Sequence, residues 1–126
     1  MTDSPRRVLI VDDDAVFRDI VFQTLHGEGG YEVESVADAL DAMEALQWRT
    51  YDAIILDLRM GVFDGERMID FLQRLRPEML SRVIVVTGVP NAGEILASVP
   101  IFALYAKPVQ QSDLLEAVAL CVEALA

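Results

Sequence analysis

Continuous apolar runs rich in β-branched residues fall at 8–11 (Val-Leu-Ile-Val), 53–56 (Ala-Ile-Ile-Leu) and 83–86 (Val-Ile-Val-Val). A strand with one wet face alternates apolar and polar side chains. Uninterrupted apolar runs therefore predict strands buried on both faces, in a parallel sheet covered by helices. Residues 31–35 (Tyr-Glu-Val-Glu-Ser) alternate instead, which places them nearer a sheet edge. Residues 101–105 are the fifth candidate strand. Between the strands, apolar positions recur at three- and four-residue spacing. Val16, Phe17, Ile20, Val21 and Leu25 stripe a first helix that stops at Gly27 and the Gly29-Gly30 pair. Asp38 suits the cap of a second helix over 39–48, with Ala42, Met43 and Leu46 inward. Met68, Ile69, Leu72 and Leu75 stripe a third, which ends before Pro77. Leu114, Leu115, Val118, Val122 and Leu125 stripe the last, which starts near Ser112 or Asp113.

The fourth connection is the weakest. Residues 88–100 include Pro90, Gly93 and Pro100, and leave room for one short helix around 94–98. The order reads βαβαβαβαβα, an α/β fold in one domain over 1–126 with its core at about 7–125. Right-handed crossovers leave few topologies, and the doubly wound, flavodoxin-like strand order 2-1-3-4-5 is the natural one.

Composition narrows the function. Hydrophobic residues make up 53% and charged residues 25% of 126, so the chain folds rather than staying disordered. A net charge of −11 disfavours nucleic-acid binding, and Arg6-Arg7 is too short a basic patch to change that. One cysteine excludes an internal disulfide framework and a cysteine-based zinc site. The apolar runs fall far short of a membrane span, and the run at 8–11 meets the aspartates at 12–14 at once, too short for the apolar region of a signal peptide, so neither a membrane nor a secretory signal is expected. A cytoplasmic location follows by default. Cys121 reads as a small core or interface residue, Trp48 as partly buried packing, and His26 as a favourable charge near a helix end.

In open sheets of this order, ligands bind at the carboxyl ends of strands one and three, where the winding reverses. Asp12 and Asp13 directly follow strand one, and Asp57 ends strand three. Thr87 ends strand four and Lys107 follows strand five, on the same edge. Asp14 suits the cap of the first helix. Clustered carboxylates repel one another, and hard oxygen ligands in a crevice suit a divalent cation such as Mg²⁺ beside a phosphate. Lys107 and a dication would balance the charges of Asp12, Asp13 and Asp57.

At these residues the chain resembles the receiver domain of bacterial two-component response regulators, the family that includes the chemotaxis receiver. The resemblance runs from about 7 to 125. Its marks are Val-Leu-Ile-Val-Asp-Asp-Asp at 8–14, Ile-Ile-Leu-Asp-Leu-Arg-Met at 54–60, Asp64-Gly65, Val-Ile-Val-Val-Thr-Gly at 83–88 and Ala106-Lys107-Pro108, in family order. It implies that Asp57 is the phosphoacceptor, attacking a phosphohistidine on a sensor histidine kinase or phosphotransfer protein to form an aspartyl phosphate. It implies that Asp13 binds Mg²⁺ directly, Asp12 mainly through water, and Arg59 through its backbone carbonyl. Thr87 and Lys107 would hold phosphoryl oxygens. Gly65 would serve a turn at positive φ, and the peptide before Pro108 would be cis. Such a domain catalyses its own phosphorylation and dephosphorylation, rather than a metabolic reaction, and switches contacts with an unknown downstream protein.

The chain departs from the family in three places. Met60-Gly61 stands where Met-Pro is usual, and the stretch from Thr87 to Lys107 is shortened in the fourth helix. Leu104 replaces the aromatic switch three residues before the lysine, and Tyr105 beside it should face the other way. Leu104 is either a core residue or the mark of an altered read-out. Val89 and Arg59 sit where the family tunes phosphoryl lifetime. The alternatives are a non-phosphorylated pseudo-receiver that binds partners constitutively, and a receiver excised from a hybrid histidine kinase. Dimerisation through the fourth-helix face stays open, and no output domain is expected. A phosphohydrolase would need a cap domain, and the phosphate loop of a nucleotide-binding protein is missing after strand one.

Overall fold

The computed structural model describes residues 5–60 and 65–124. Five parallel strands form one sheet: β1 (Arg7–Val11), β2 (Glu32–Val36), β3 (Ala53–Leu56), β4 (Val83–Thr87) and β5 (Ala103–Ala106). Their order is β2-β1-β3-β4-β5, the doubly wound arrangement. The connecting helices are α1 (Ala15–Gln23), α2 (Ala39–Trp48), α3 (Gly65–Leu75), α4 (Ala92–Ile95) and α5 (Gln111–Glu123). Among the described residues, no helix is long and apolar enough to cross a membrane.

The apolar runs are central strands because both faces are covered. Leu9, Val11, Ile54, Leu56, Val83 and Val85 face one core with Ala42 and Leu46 of α2 and Met68 and Leu72 of α3. Val8, Ile10, Ile55, Ile84 and Val86 face the other, with Val21 of α1 and Leu114, Val118 and Cys121 of α5. Each buried side chain of this size contributes roughly 1.5–3 kcal/mol, so these two layers dominate the stability. Cys121 is a core residue, as expected.

The details differ from expectation in several places. Pairing in β5 starts later than residue 101: Phe102 N–H donates to Val83 O, and Lys107 N–H donates to Thr87 O. The first helix does not stop at Gly27. It widens into a π-helical turn at Thr24–Glu28, where Gly29 N–H reaches back to Thr24 O, and ends at Gly30 with φ of 70°. The short α4 lies earlier than 94–98, because Glu94 and Ile95 N–H groups both donate to Asn91 O. Helical periodicity overstated the buried stripe. Val16 is 68% exposed, and Ile20 and Leu75 are also exposed. Trp48, expected to be partly buried, is 81% exposed at the end of α2. Leu104 is exposed on β5, so it is not a core residue, and Tyr105 packs on the opposite, α1–α5 side. Gly61, Asp64 and Leu125 lie outside the described residues.

Candidate functional site

The site is built from the ends of the strands. β1 runs out of sheet at Asp12, whose N–H still donates to Val36 O of β2. Asp12 Oδ1 then turns back to accept from Asp14 N–H at 2.9 Å, an Asx turn. Asp14 caps α1 as expected, accepting from Val16 and Phe17 N–H groups. Arg18, one turn into α1, donates to Asp12 O at 2.7 Å and ties the helix to the acidic loop. Asp13 is exposed and makes no hydrogen bond or ion pair among the described residues.

Asp57 follows β3, and its N–H donates to Val11 O. Its Oδ1 accepts from Thr87 Oγ1 at 2.6 Å and from Arg59 N–H at 3.0 Å. Thr87 Oγ1 in turn accepts from Val89 N–H. Lys107 closes the group, with Nζ 2.7 Å from Asp12 Oδ2 and 3.0 Å from Asp57 Oδ2. The Lys107–Pro108 peptide is cis, as expected. Asp12, Asp57 and Thr87 are 1%, 7% and 1% exposed.

Electrostatics follow from this burial. Desolvation raises the Asp12 carboxyl above its usual range, against the lowering effect of Lys107. Burial also pulls the Lys107 ammonium down, but its hydrogen bonds to Asp12 and Asp57 outweigh that and raise it. Two buried carboxylates thus share one cation.

The structure brings Asp12, Asp57, Thr87 and Lys107 together. Arg59 joins through its N–H, which donates to Asp57 Oδ1. Among the described residues, no three His, Cys, Asp or Glu side chains are gathered as a ready-made metal cage. Lys107 instead draws Asp12 and Asp57 onto itself.

The reason for Gly65 also differs from expectation. Its φ is not positive; a Cβ there would lie 2.6 Å from Leu58 Cα and closer still to Asp57 O. Close approach of α3 to the Asp57 backbone requires the glycine, and Gly65 N–H donates to Leu58 O. Two residues at the site escaped sequence reasoning. In the sequence Phe17 reads as one position of a helix stripe, yet its ring centroid lies 4.3 Å from Lys107 Nζ. Arg18 carried no signal beyond its place six residues after Asp12.

Comparison with known proteins agrees with this geometry. The chain is 38% identical over 91 residues to a protein-glutamate methylesterase/protein-glutamine glutaminase of Anaeromyxobacter dehalogenans, a match covering 72% of this chain. The chain spans about a quarter of that relative's length. Among solved structures, a CheY-like response regulator receiver domain protein from Methanospirillum hungatei superposes with a TM-score of 0.86 at 30% identity, covering 96% of each chain. The receiver domain of a Pseudomonas aeruginosa sensor histidine kinase, with magnesium coordinated in its active site cleft, shares the fold at 23% identity and a TM-score of 0.84, over 95% of this chain and 99% of its own. The family model of the response regulator receiver domain matches residues 8–119. Because that match runs from β1 into α5, the chain belongs to the response regulator receiver family of two-component systems.

Proposed function

We propose that this chain is a phosphoacceptor receiver in which Asp57 takes a phosphoryl group from a phosphohistidine of a sensor histidine kinase or phosphotransfer protein. The observation that carries this reading is the environment of Asp57. Its buried carboxylate meets a hydroxyl donor on one oxygen and an ammonium on the other. A carboxylate oxygen attacks phosphorus as the phosphorus–nitrogen bond of the donor breaks, and the imidazole leaves with its electron pair. The Thr87 hydroxyl and the Lys107 ammonium then turn from the Asp57 carboxylate to the phosphoryl oxygens, stabilising charge where it develops. The exposed apolar side chains of Val16 and Ile20 on α1 lie beside this edge and suit contact with the phosphodonor protein.

The donor set fits a hard divalent cation. Asp12, Asp13, Asp57 and the Arg59 carbonyl would hold Mg²⁺, with Asp12 acting mainly through water. The ion supplies positive charge that offsets the carboxylates and the incoming phosphoryl oxygens. Lys107 must then release its hold on at least one carboxylate. The esterase and glutaminase activities of the relative belong to a protein four times the matched length and are not carried over.

A constitutive, non-phosphorylated module is the second reading, favoured by Leu104, which offers no phenolic hydroxyl at the exposed face of β5. Intact mass after incubation with acetyl phosphate and Mg²⁺ separates the two. One phosphoryl adduct on the wild type and none on Asp57→Asn is the expected result. An unmodified wild type in the presence of both acetyl phosphate and a phosphorylated kinase domain would favour the second reading.

A further inference from the structure

Lys107 receives contacts from three elements. Asp12 at the end of β1 and Asp57 after β3 each accept from its ammonium. The third neighbour is apolar: the Phe17 ring of α1, with its centroid 4.3 Å from Nζ. An ammonium has three N–H donors and no acceptor. The face of an aromatic ring is negative and attracts a cation, more strongly where water is excluded. Lys107 is only 24% exposed at its side chain, so the ring stands in for part of the lost hydration.

The ring is itself held. Phe17 packs against the core that contains Val8, Ile10 and Val21. Its own N–H is tied to the capping Asp14, and Arg18 beside it grips Asp12 O. Phe17 also forms one wall of an apolar groove of about 460 Å³, shared with Ile20, Val109 and Leu114, next to Lys107. A lysine stem without the ring has open space to swing into.

We infer that Phe17 is a positioning residue for phosphoryl transfer, its ring holding the Lys107 ammonium in place against the Asp12 and Asp57 carboxylates. This rests on the phosphoacceptor reading above. It has a consequence that loss of packing does not share. The ammonium and Mg²⁺ compete for the same two carboxylates, so a loosely held ammonium makes the metal bind more tightly. The same loosening leaves the phosphoryl oxygens without a placed cation and slows transfer.

The test compares wild type, Phe17→Leu, Phe17→Tyr and a pentafluorophenylalanine at position 17, which keeps the shape of the ring and removes its negative face. Mg²⁺ affinity is read by calorimetry on the unphosphorylated protein, and the phosphorylation rate by intact mass with acetyl phosphate at saturating Mg²⁺. For Phe17→Leu and the fluorinated ring, Mg²⁺ binds about two- to fivefold more tightly while phosphorylation slows about three- to tenfold. Phe17→Tyr returns both toward wild type. Weaker metal binding in Phe17→Leu, an unchanged rate, or a fluorinated ring equal to wild type overturns the inference. If the wild type takes no phosphoryl group from acetyl phosphate or from a phosphorylated kinase domain, the phosphoacceptor reading fails, while the calorimetric arm still decides whether Phe17 holds Lys107.

Discussion

At the amino end of the sheet, Glu32, Glu34 and Asp52 meet Arg6, Arg7 and Arg49, whereas at the carboxyl end Asp12 and Asp57 share the one ammonium of Lys107. The first edge is balanced and cross-linked. Glu34 accepts from Arg49 at 2.6 Å and from the Tyr51 hydroxyl at 2.7 Å, and Asp52 accepts from Arg7 N–H at 2.8 Å. Arg82 adds a bond to Tyr51 O. The second edge carries an excess of negative charge on side chains that are almost fully buried. One edge pairs its charges; the other gathers two carboxylates around a single ammonium. Both edges terminate the same strands, so the contrast lies in side chains and not in the fold.

The largest effect should come from removing the shared cation. Lys107→Met leaves two buried carboxylates unpaired, and unfolding by denaturant should show a loss of about 2–4 kcal/mol. A loss below half of that would mean that Asp12 and Asp57 are less desolvated than their burial indicates. The balanced edge should fail next, and only in alkali. Burial and the hydrogen bond to Glu34 push the Tyr51 hydroxyl from 10 up to about 12. The folded state thus holds this proton more tightly than the unfolded one. Its stabilisation is fully present below pH 10 and is lost as the pH rises through about 12, on the order of 2 kcal/mol. Cys121, pushed up by burial from 9 to about 11, adds a loss of the same sign that begins lower, above pH 9. Tyr51→Phe should flatten this alkaline loss without altering phosphorylation, and a stability–pH curve unchanged by the substitution would contradict it. The smallest effect has the opposite sign. Asp12→Asn leaves Lys107 paired with Asp57 alone, and should raise stability by about 1 kcal/mol while weakening Mg²⁺ binding. A destabilised Asp12→Asn would mean that both carboxylates are needed to hold the lysine.

The same contrast explains what sequence could disclose. The all-apolar runs at 8–11 and 83–86 specify buried strands because they are short and rich in β-branched Val and Ile, whereas the apolar run at 117–122 lies inside a longer periodic stripe and is helical. Chain topology then carries Asp12, Asp57, Thr87 and Lys107 to one edge, as the polar residues that end those runs. Side-chain detail was less legible. A helix stripe records which positions are apolar but not how wide the covered face is, so Val16, Ile20 and Leu75 read as buried and are exposed. Trp48 failed for a related reason, since a large side chain at a helix end has fewer neighbours than one at its middle. Gly65 was legible as a required glycine, but the requirement is the approach of α3 to the Asp57 backbone, which only the packed structure reveals. Phe17 was hidden because its partner, Lys107, is distant in sequence and an aromatic in a helix stripe reads as core.

The most direct test of the strained carboxyl edge is thermal unfolding of the wild type across a Mg²⁺ titration, beside Asp12→Asn and Tyr51→Phe. Ligand binding to the folded state raises the unfolding temperature with metal concentration. The wild type should climb, Tyr51→Phe should climb equally from a lower start, and Asp12→Asn should climb less from a higher one. A wild-type unfolding temperature that stays flat to millimolar Mg²⁺ would contradict the claim that Asp12, Asp13 and Asp57 act as one cation-relieved site.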